Sequence, residues 1–512
     1  MAVGNGSALQ DLRAARRALQ DVRGKQKLDF FINAKDPRAL VQSLPPEELY
    51  LALLDIGPDD ATDLIALSTP QQFRHFIDMA AWPKSDEGPR SSEILRWVRL
   101  AREGVGRSDA SMARFRRQLA SLDLEMMALL LRREMTVYDL AEDDQPNAQD
   151  EALIYFTSDR RFMLEFGSQD SYAAMKQLIE DLYEQDVFAT GRLIESIRWE
   201  VPTELEETAR RWRDGRLRDL GVPDFEEAIS FYARPAERAR NEAAAGHAGT
   251  ALLTPQGSLV DAAMELLSGE DLEAAEESVI YAANAALVAN RVPLDDADEV
   301  REQLTQSRAT LGLGLELLSA GDPARAARLL ADEPIRKIFQ AAMGEVYALQ
   351  TRARRIAASA RLPQAQSATL LDRPLSGVIE ALLKPRPTFG DPGARRPRAF
   401  GSRADLAHGA ALLDDSEATV ALLGALGIAP AVLGPQAELA GLGPSALTAS
   451  AAVRALVESR MRGLPLTLLL AGEKERPLDP GFRAALEEAL ALAATSAPLR
   501  RAADRLLAVL CP

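Results

Sequence analysis

A chain of 512 residues is too long for one compact core, so several domains or an extended helical array are expected. Its residues are 47% hydrophobic but only 5% aromatic, so burial rests on Leu, Ala, Ile and Val, a composition that suits helices better than strands. A formal charge of -16 sets the bulk surface against nucleic-acid phosphates and anionic lipid, and a single cysteine, Cys511, excludes an intramolecular disulfide or a cysteine-pair metal site.

The predicted architecture is all-α and multi-domain, with one small β-hairpin near residues 153–166. In the first segment, residues 1–35, charged residues interrupt every apolar run, so no secretory signal is read and a cytoplasmic location is expected. Leu9, Leu12, Ala15, Leu19 and Val22 are at helical spacing, and Arg13, Arg16 and Arg17 give that helix a basic face. Docking on the same protein is the preferred role for it, ahead of a membrane surface.

Residues 36–140 form a short-helix repeat domain. Pro46, Pro58 and Pro70 recur every twelve residues, each followed by an acidic or amide pair: Glu47-Glu48, Asp59-Asp60 and Gln71-Gln72. Proline suits the first helical position, and acidic residues in the first turn complement the helix dipole. The third, sixth and seventh positions after each proline are apolar throughout, which predicts stacked helices of about two turns that must bury that face on their neighbours. Further helices are predicted over Ser91–Arg102 and Ser108–Arg133.

Residues 141–235 form a helical domain opened by the hairpin, in which two apolar runs flank the turn-like Thr157-Ser158-Asp159-Arg160. Helices are then expected over Ser171–Glu184, Thr190–Trp199, Thr203–Asp214 and Pro223–Ala233. A linker at 236–257 leads to a helical domain at 258–381. A Pro/Gly/Arg-rich linker at 382–403 precedes a C-terminal helical bundle at 404–512, broken at Gly434-Pro435, Gly443-Pro444 and Pro477–Gly481. The apolar runs there, such as Leu464–Ala471, fall short of the roughly 20 residues that span a bilayer.

The segment Glu204–Tyr232, ELEETARRWRDGRLRDLGVPDFEEAISFY, resembles a bacterial family defined only as a domain of unknown function. The resemblance extends over most of the chain, through LPPEELY, RRQLASLDLEMMALLLRREMTVYDL, NRVPLDDADEV and TLGLGLELLSAGD. It implies no activity. Residues 36–82 more weakly resemble the cytosolic superhelical domain of bacterial magnesium transporters, a likeness of shape that carries no transport function.

The candidate binding site is Arg210, Trp212, Arg213, Arg216 and Asp219, where five arginines near a tryptophan offer rigid donor forks for a phosphate or carboxylate. The preferred alternative pairs these arginines with Glu204, Glu206, Glu207 and Asp219. Arg395, Arg396, Arg398 and Arg403 read as a solvated basic connection, with an anionic partner as the alternative. Gly312 and Gly314 imitate a dinucleotide fingerprint without its third glycine or preceding strand, so close helix packing is the expected role. The acidic clusters Glu142-Asp143-Asp144 and Asp295-Asp296 with Asp298-Glu299 lack calcium-loop spacing. The three histidines, His75, His247 and His408, are too scattered for a zinc site, and neither a metal nor a cofactor is expected.

With no catalytic motif, the reading is a non-enzymatic cytoplasmic scaffold or regulatory adaptor that binds a protein partner through helical grooves. Nucleic acid and a membrane span are not expected. The alternative is an enzyme or small-molecule sensor with a pocket between the central helical domains, near the hairpin and the Arg-rich helix.

Overall fold

The computed structural model of the protein describes residues 19, 22, 24–82, 88–106, 108–142, 150–233, 258–294, 296–362, 370–441, 447–470 and 480–511. Most of the helix expected over Ala8–Val22 lies outside these residues, as do Asp143, Asp144, His247, Asp295, Gly443-Pro444 and the connection 236–257. The described residues are predominantly helical with one small antiparallel sheet, as composition implied. They fall into two compact units. One comprises the described residues up to Phe231 and those within Leu267–Thr305, the other Tyr232, Ala233, and the described residues from Ser258 to Leu266 and from Gln306 onward.

The first unit opens with α1 (Lys25–Ile32), α2 (Pro37–Ser43), α3 (Pro46–Ile56), α4 (Thr62–Leu67) and α5 (Pro70–Ala80). Pro46 and Pro70 each stand at a helix start, whereas Pro58 begins only a 3-10 turn, Pro58–Asp60, and the helix proper starts at Thr62. The nine positions of the expected apolar face, Leu49, Ala52, Leu53, Ala61, Leu64, Ile65, Phe73, Phe76 and Ile77, are all buried. Full burial of one such large side chain stabilises by about 1.5–3 kcal/mol.

Two buried glutamines each donate to carbonyls at the end of a neighbouring helix, where intrahelical partners run out. Gln72 completes a capping box with Thr69 at the start of α5 while its Nε2 donates to the carbonyls of Val41 at 2.9 Å and Leu44 at 2.8 Å, at the end of α2. Gln118, on α7 (Asp109–Leu119), donates in the same way to Ile65 and Ser68 at the end of α4, both at 3.0 Å. Between them, α6 (Ser91–Glu103) brings Trp97 against Tyr50 and Phe76, with ring centroids 5.7 and 5.4 Å away.

The helix expected over Ser108–Arg133 is two helices: α7 ends at Leu119, and α8 (Leu124–Glu134) begins after Asp123. The chain passes from α8 directly into β1 (Met135–Asp139), a strand the sequence reading did not contain. The hairpin stands as expected, with β2 (Ile154–Phe156) and β3 (Phe162–Phe166) joined through Thr157–Arg161. The sheet order is β1-β3-β2, antiparallel, with Val137 opposite Leu164 and Leu164 opposite Tyr155. Next come α9 (Gln169–Gln185), α10 (Val187–Trp199), α11 (Pro202–Asp219) and α12 (Phe225–Ser230). Both α10 and α11 pack on α8.

After α13 (Leu259–Met264), which belongs to the second unit, α14 (Glu270–Asn290) returns to the first and packs on α12. Helix α15 (Ala297–Ser319) follows, with residues 297–305 assigned to the first unit and 306–319 to the second. The second unit continues with α16 (Pro323–Asp332), α17 (Ile335–Ala360) and α18 (Leu375–Leu383). Gly314 serves close packing as expected: a Cβ there would lie 2.1 Å from the Ile338 carbonyl oxygen on α17, whereas one on Gly312 would meet nothing nearer than 3.9 Å.

Within the Pro/Gly/Arg-rich stretch 382–403, Phe389 and Phe400 are buried and stacked, and Arg398 binds Asp391 and Asp405 at 3.0 and 2.7 Å. Then come α19 (Arg403–Ala425), α20 (Pro430–Leu439), α21 (Ala449–Arg462), α22 (Leu466–Leu470), α23 (Phe482–Ala493) and α24 (Ala497–Leu510). The break expected at Gly434-Pro435 does not occur: α20 runs through Pro435, which has no N–H to donate to the carbonyl one turn back. Among the described residues no single helix is long and apolar enough to cross a membrane; α19 and α20 reach that composition only as a pair bent by 70°.

Candidate functional site

Helix α11 carries the predicted site residues, and its buried stripe, Leu205, Ala209, Arg213 and Leu217, places an arginine among the apolar positions. Arg213 Nε donates to the Asp78 carbonyl at 2.9 Å and Nη1 to Asp214 at 2.9 Å. Arg216 grips two carboxylates at once. Its Nε and Nη2 donate to Asp78 at 2.8 and 2.7 Å, and its Nη1 and Nη2 to Asp123 at 3.0 and 2.7 Å. Asp123 stands at the N-cap of α8 but makes no capping bond with its side chain, which is committed to Arg216 instead.

The facing stripe of α5 is His75 and Asp78, continued by Trp82, all buried. The guanidiniums of Arg210 and Arg213 lie 5.7 and 5.5 Å from the Trp82 ring, within cation–π range. Among the described residues His75 has no hydrogen-bond partner for either ring nitrogen. Burial, reinforced by the charges of Arg213 and Arg216, pushes its pKa down to about 3, so the ring is neutral. Burial also lowers the Arg213 pKa and works against the Arg216 charge, but the hydrogen bonds and charges of Asp78 and Asp123 outweigh it at Arg216, whose pKa rises. Burial leaves Asp78 titrating above its ordinary range despite Arg216 and Arg213.

The predicted residues therefore divide. Arg213 and Arg216 point inward and are engaged; Arg210 pairs with Glu206 at 3.0 Å; Trp212 and Asp219 are exposed. Of the acidic partners expected for the arginines, Glu206 and Glu207 are used, while Glu204 and Asp219 are exposed and are not among the partners. Asp78 and Asp123, which hold Arg216, were not anticipated.

Sequence reasoning missed the outer face of α10. Asp186 caps this helix by accepting from Ala189 N at 2.9 Å, which starts it at Val187 and draws Phe188 into it. Thr190, Leu193, Ile194 and Ile197 are buried. At 3.6 residues per turn, Phe188, Arg192, Glu195 and Trp199 share a roughly 60° arc on the opposite side. Phe188 is 83% exposed and Trp199 70%. Arg192 is exposed, with no ion pair among the described residues, while Glu195 Oε2 meets Arg161 at 3.0 Å. The signal was present in the sequence: two aromatics eleven residues apart, opposite the Leu193-Ile194-Ile197 stripe.

Among the described residues no group of three or more His, Cys, Asp or Glu side chains is placed to hold a metal ion. The fold and these faces define an all-α protein with a small sheet, whose charged helix face turns inward and whose aromatic helix face turns outward. The model of a family described as a family of unknown function (DUF6178) matches residues 5–510, and the chain belongs to that family. No curated protein and no solved structure matches it.

Proposed function

We propose that the protein is a non-enzymatic cytoplasmic scaffold or regulatory adaptor that docks a protein partner on the outer face of α10. The observation that carries this reading is the exposure of Phe188 and Trp199 on the side of the helix that amphipathic patterning reserves for polar groups. Scattered surface apolar residues are ordinary. Two large aromatics aligned along one face with an arginine between them match the composition of interface hot spots. A single cysteine in the chain fits the reducing compartment.

Affinity purification of the full chain at native expression tests the proposal. The expected result is a partner retained by the wild type and lost by the Phe188→Ala/Trp199→Ala variant. A chain that runs alone under these conditions, or a partner indifferent to both substitutions, overturns it.

A further inference from the structure

We propose that the outer face of α10 pairs with the same face of a second copy of this chain, the two helices lying antiparallel about a two-fold axis. The proposal rests on the docking role given to that face above and names its occupant. It follows from the spacing of the four outward residues, Phe188, Arg192, Glu195 and Trp199. Their positions are symmetric about the point between Leu193 and Ile194: aromatic at each end, cation and anion at equal distances either side of the centre. When the helix is laid antiparallel on itself, each Phe188 meets the other copy's Trp199, and each Arg192 meets the other copy's Glu195. A two-fold interface requires such self-complementarity, whereas a different partner places no such constraint on the face.

The charges are available for this pairing. Arg192 has no ion pair among the described residues, and Arg161 occupies only Oε2 of Glu195, leaving Oε1 to accept from a second guanidinium. Arg198, whose guanidinium lies 5.3 Å from the Trp199 ring, directs its Nη1 to Glu142 at 2.9 Å and Asp139 at 3.6 Å. The contact is small. Two aromatics per copy bury about 300–500 Å², below the ~800 Å² per partner of a stable complex. The pairing is therefore a reversible association that depends on concentration.

Sedimentation velocity of the full chain, from about 1 to about 200 µM, tests this across the range in which so small an interface assembles. The wild type is expected to shift from monomer to dimer. Arg192→Glu alone and Glu195→Arg alone each place like charges opposite one another and are expected to weaken dimerisation by about tenfold or more. An equimolar mixture of the two variants restores it, because each then supplies the sign the other lacks. Recovery on mixing also shows that both variants are folded, with circular dichroism as the check on each. A wild type that stays monomeric throughout, or a dimer unmoved by either charge reversal, overturns the self-pairing. A chain that stays monomeric yet captures a partner through Phe188 and Trp199 sinks this inference alone and leaves the docking reading standing.

Discussion

Helices α10 and α11 are consecutive in the chain, and they depart from amphipathic patterning in opposite directions. On α11 a charged residue, Arg213, occupies the buried stripe, and Arg216 beside it reaches Asp78 and Asp123. On α10 two aromatics stand in water. The difference separates two kinds of constraint. A buried guanidinium is tolerated only where its partners are in place, so the α11 network fixes how α5, α8 and α11 meet, whatever its net effect on stability. An exposed aromatic constrains little within its own fold, so its position answers chiefly to what lies outside.

The largest expected effect comes from breaking the inward face. Arg216→Ala leaves Asp78 and Asp123 without their shared partner, one of them fully buried, and removal of one member of a buried pair costs about 3–5 kcal/mol. Denaturant unfolding measures it. Replacing Arg216 and Asp78 together by leucine is expected to recover most of the loss, because the uncompensated buried charge is gone. If Arg216→Ala shifts the unfolding midpoint by less than the equivalent of 1 kcal/mol, the network does not hold these helices, and the contrast with α10 fails.

His75 offers a pH test of the same face. Its folded pKa of about 3 lies below the ordinary 6.5, so between these values the unfolded chain binds a proton that the native protein does not. The stabilising contribution is therefore fully present above pH 6.5 and falls as pH drops, approaching about 1.4 kcal/mol per pH unit. Asp78, whose raised pKa acts in the opposite sense, is removed from the comparison by subtracting the curve for His75→Met. The variant is expected to match or exceed wild-type stability at neutral pH, since it deletes two unpaired buried nitrogens, and to lose less in acid. Parallel curves for the two proteins would place the ring in contact with water.

A packing control sharpens the comparison by removing charge from it. Gly314→Ala on α15 forces a Cβ to within 2.1 Å of the Ile338 carbonyl oxygen and is expected to cost about 1–3 kcal/mol. Gly312→Ala, two residues away in the same helix, meets only ordinary contacts and is expected to be neutral or stabilising by up to about 1 kcal/mol. Thermal unfolding of the two variants orders them; equal midpoints would refute close packing as the reason for Gly314.

Much of the fold was legible because its signals are local. Proline starts at Pro46 and Pro70, the apolar positions that follow them, and the turn at Thr157–Arg160 all lie within a dozen residues of the structure they specify. Strand β1 was hidden because α8 runs into it without a glycine or proline between them. The partners of Arg216 were hidden by distance, since Asp78 lies 138 residues away and Asp123 lies 93 away. No spacing rule joins such positions; only the packing of α5, α8 and α11 brings them together. The α10 face failed for a smaller reason: a helix expected to begin at Thr190 omits Phe188, and with it the symmetry of the outward residues.

The smallest effect is the one that most directly tests the contrast between the two helices. Phe188→Ala and Trp199→Ala remove large side chains that the folded monomer leaves in water, so Phe188→Ala is expected to change unfolding stability by no more than about 0.5 kcal/mol and Trp199→Ala by no more than about 1 kcal/mol, measured at a concentration too low for association. Trp199 also lies under the Arg198 guanidinium, a contact worth about 0.5–1 kcal/mol at an exposed site, so its substitution is expected to cost slightly more than that of Phe188. A loss of 2 kcal/mol or more in either variant would mean that the aromatics support their own fold. They would then belong with Arg216 as internal constraints, and the outward face would carry no information about what binds there.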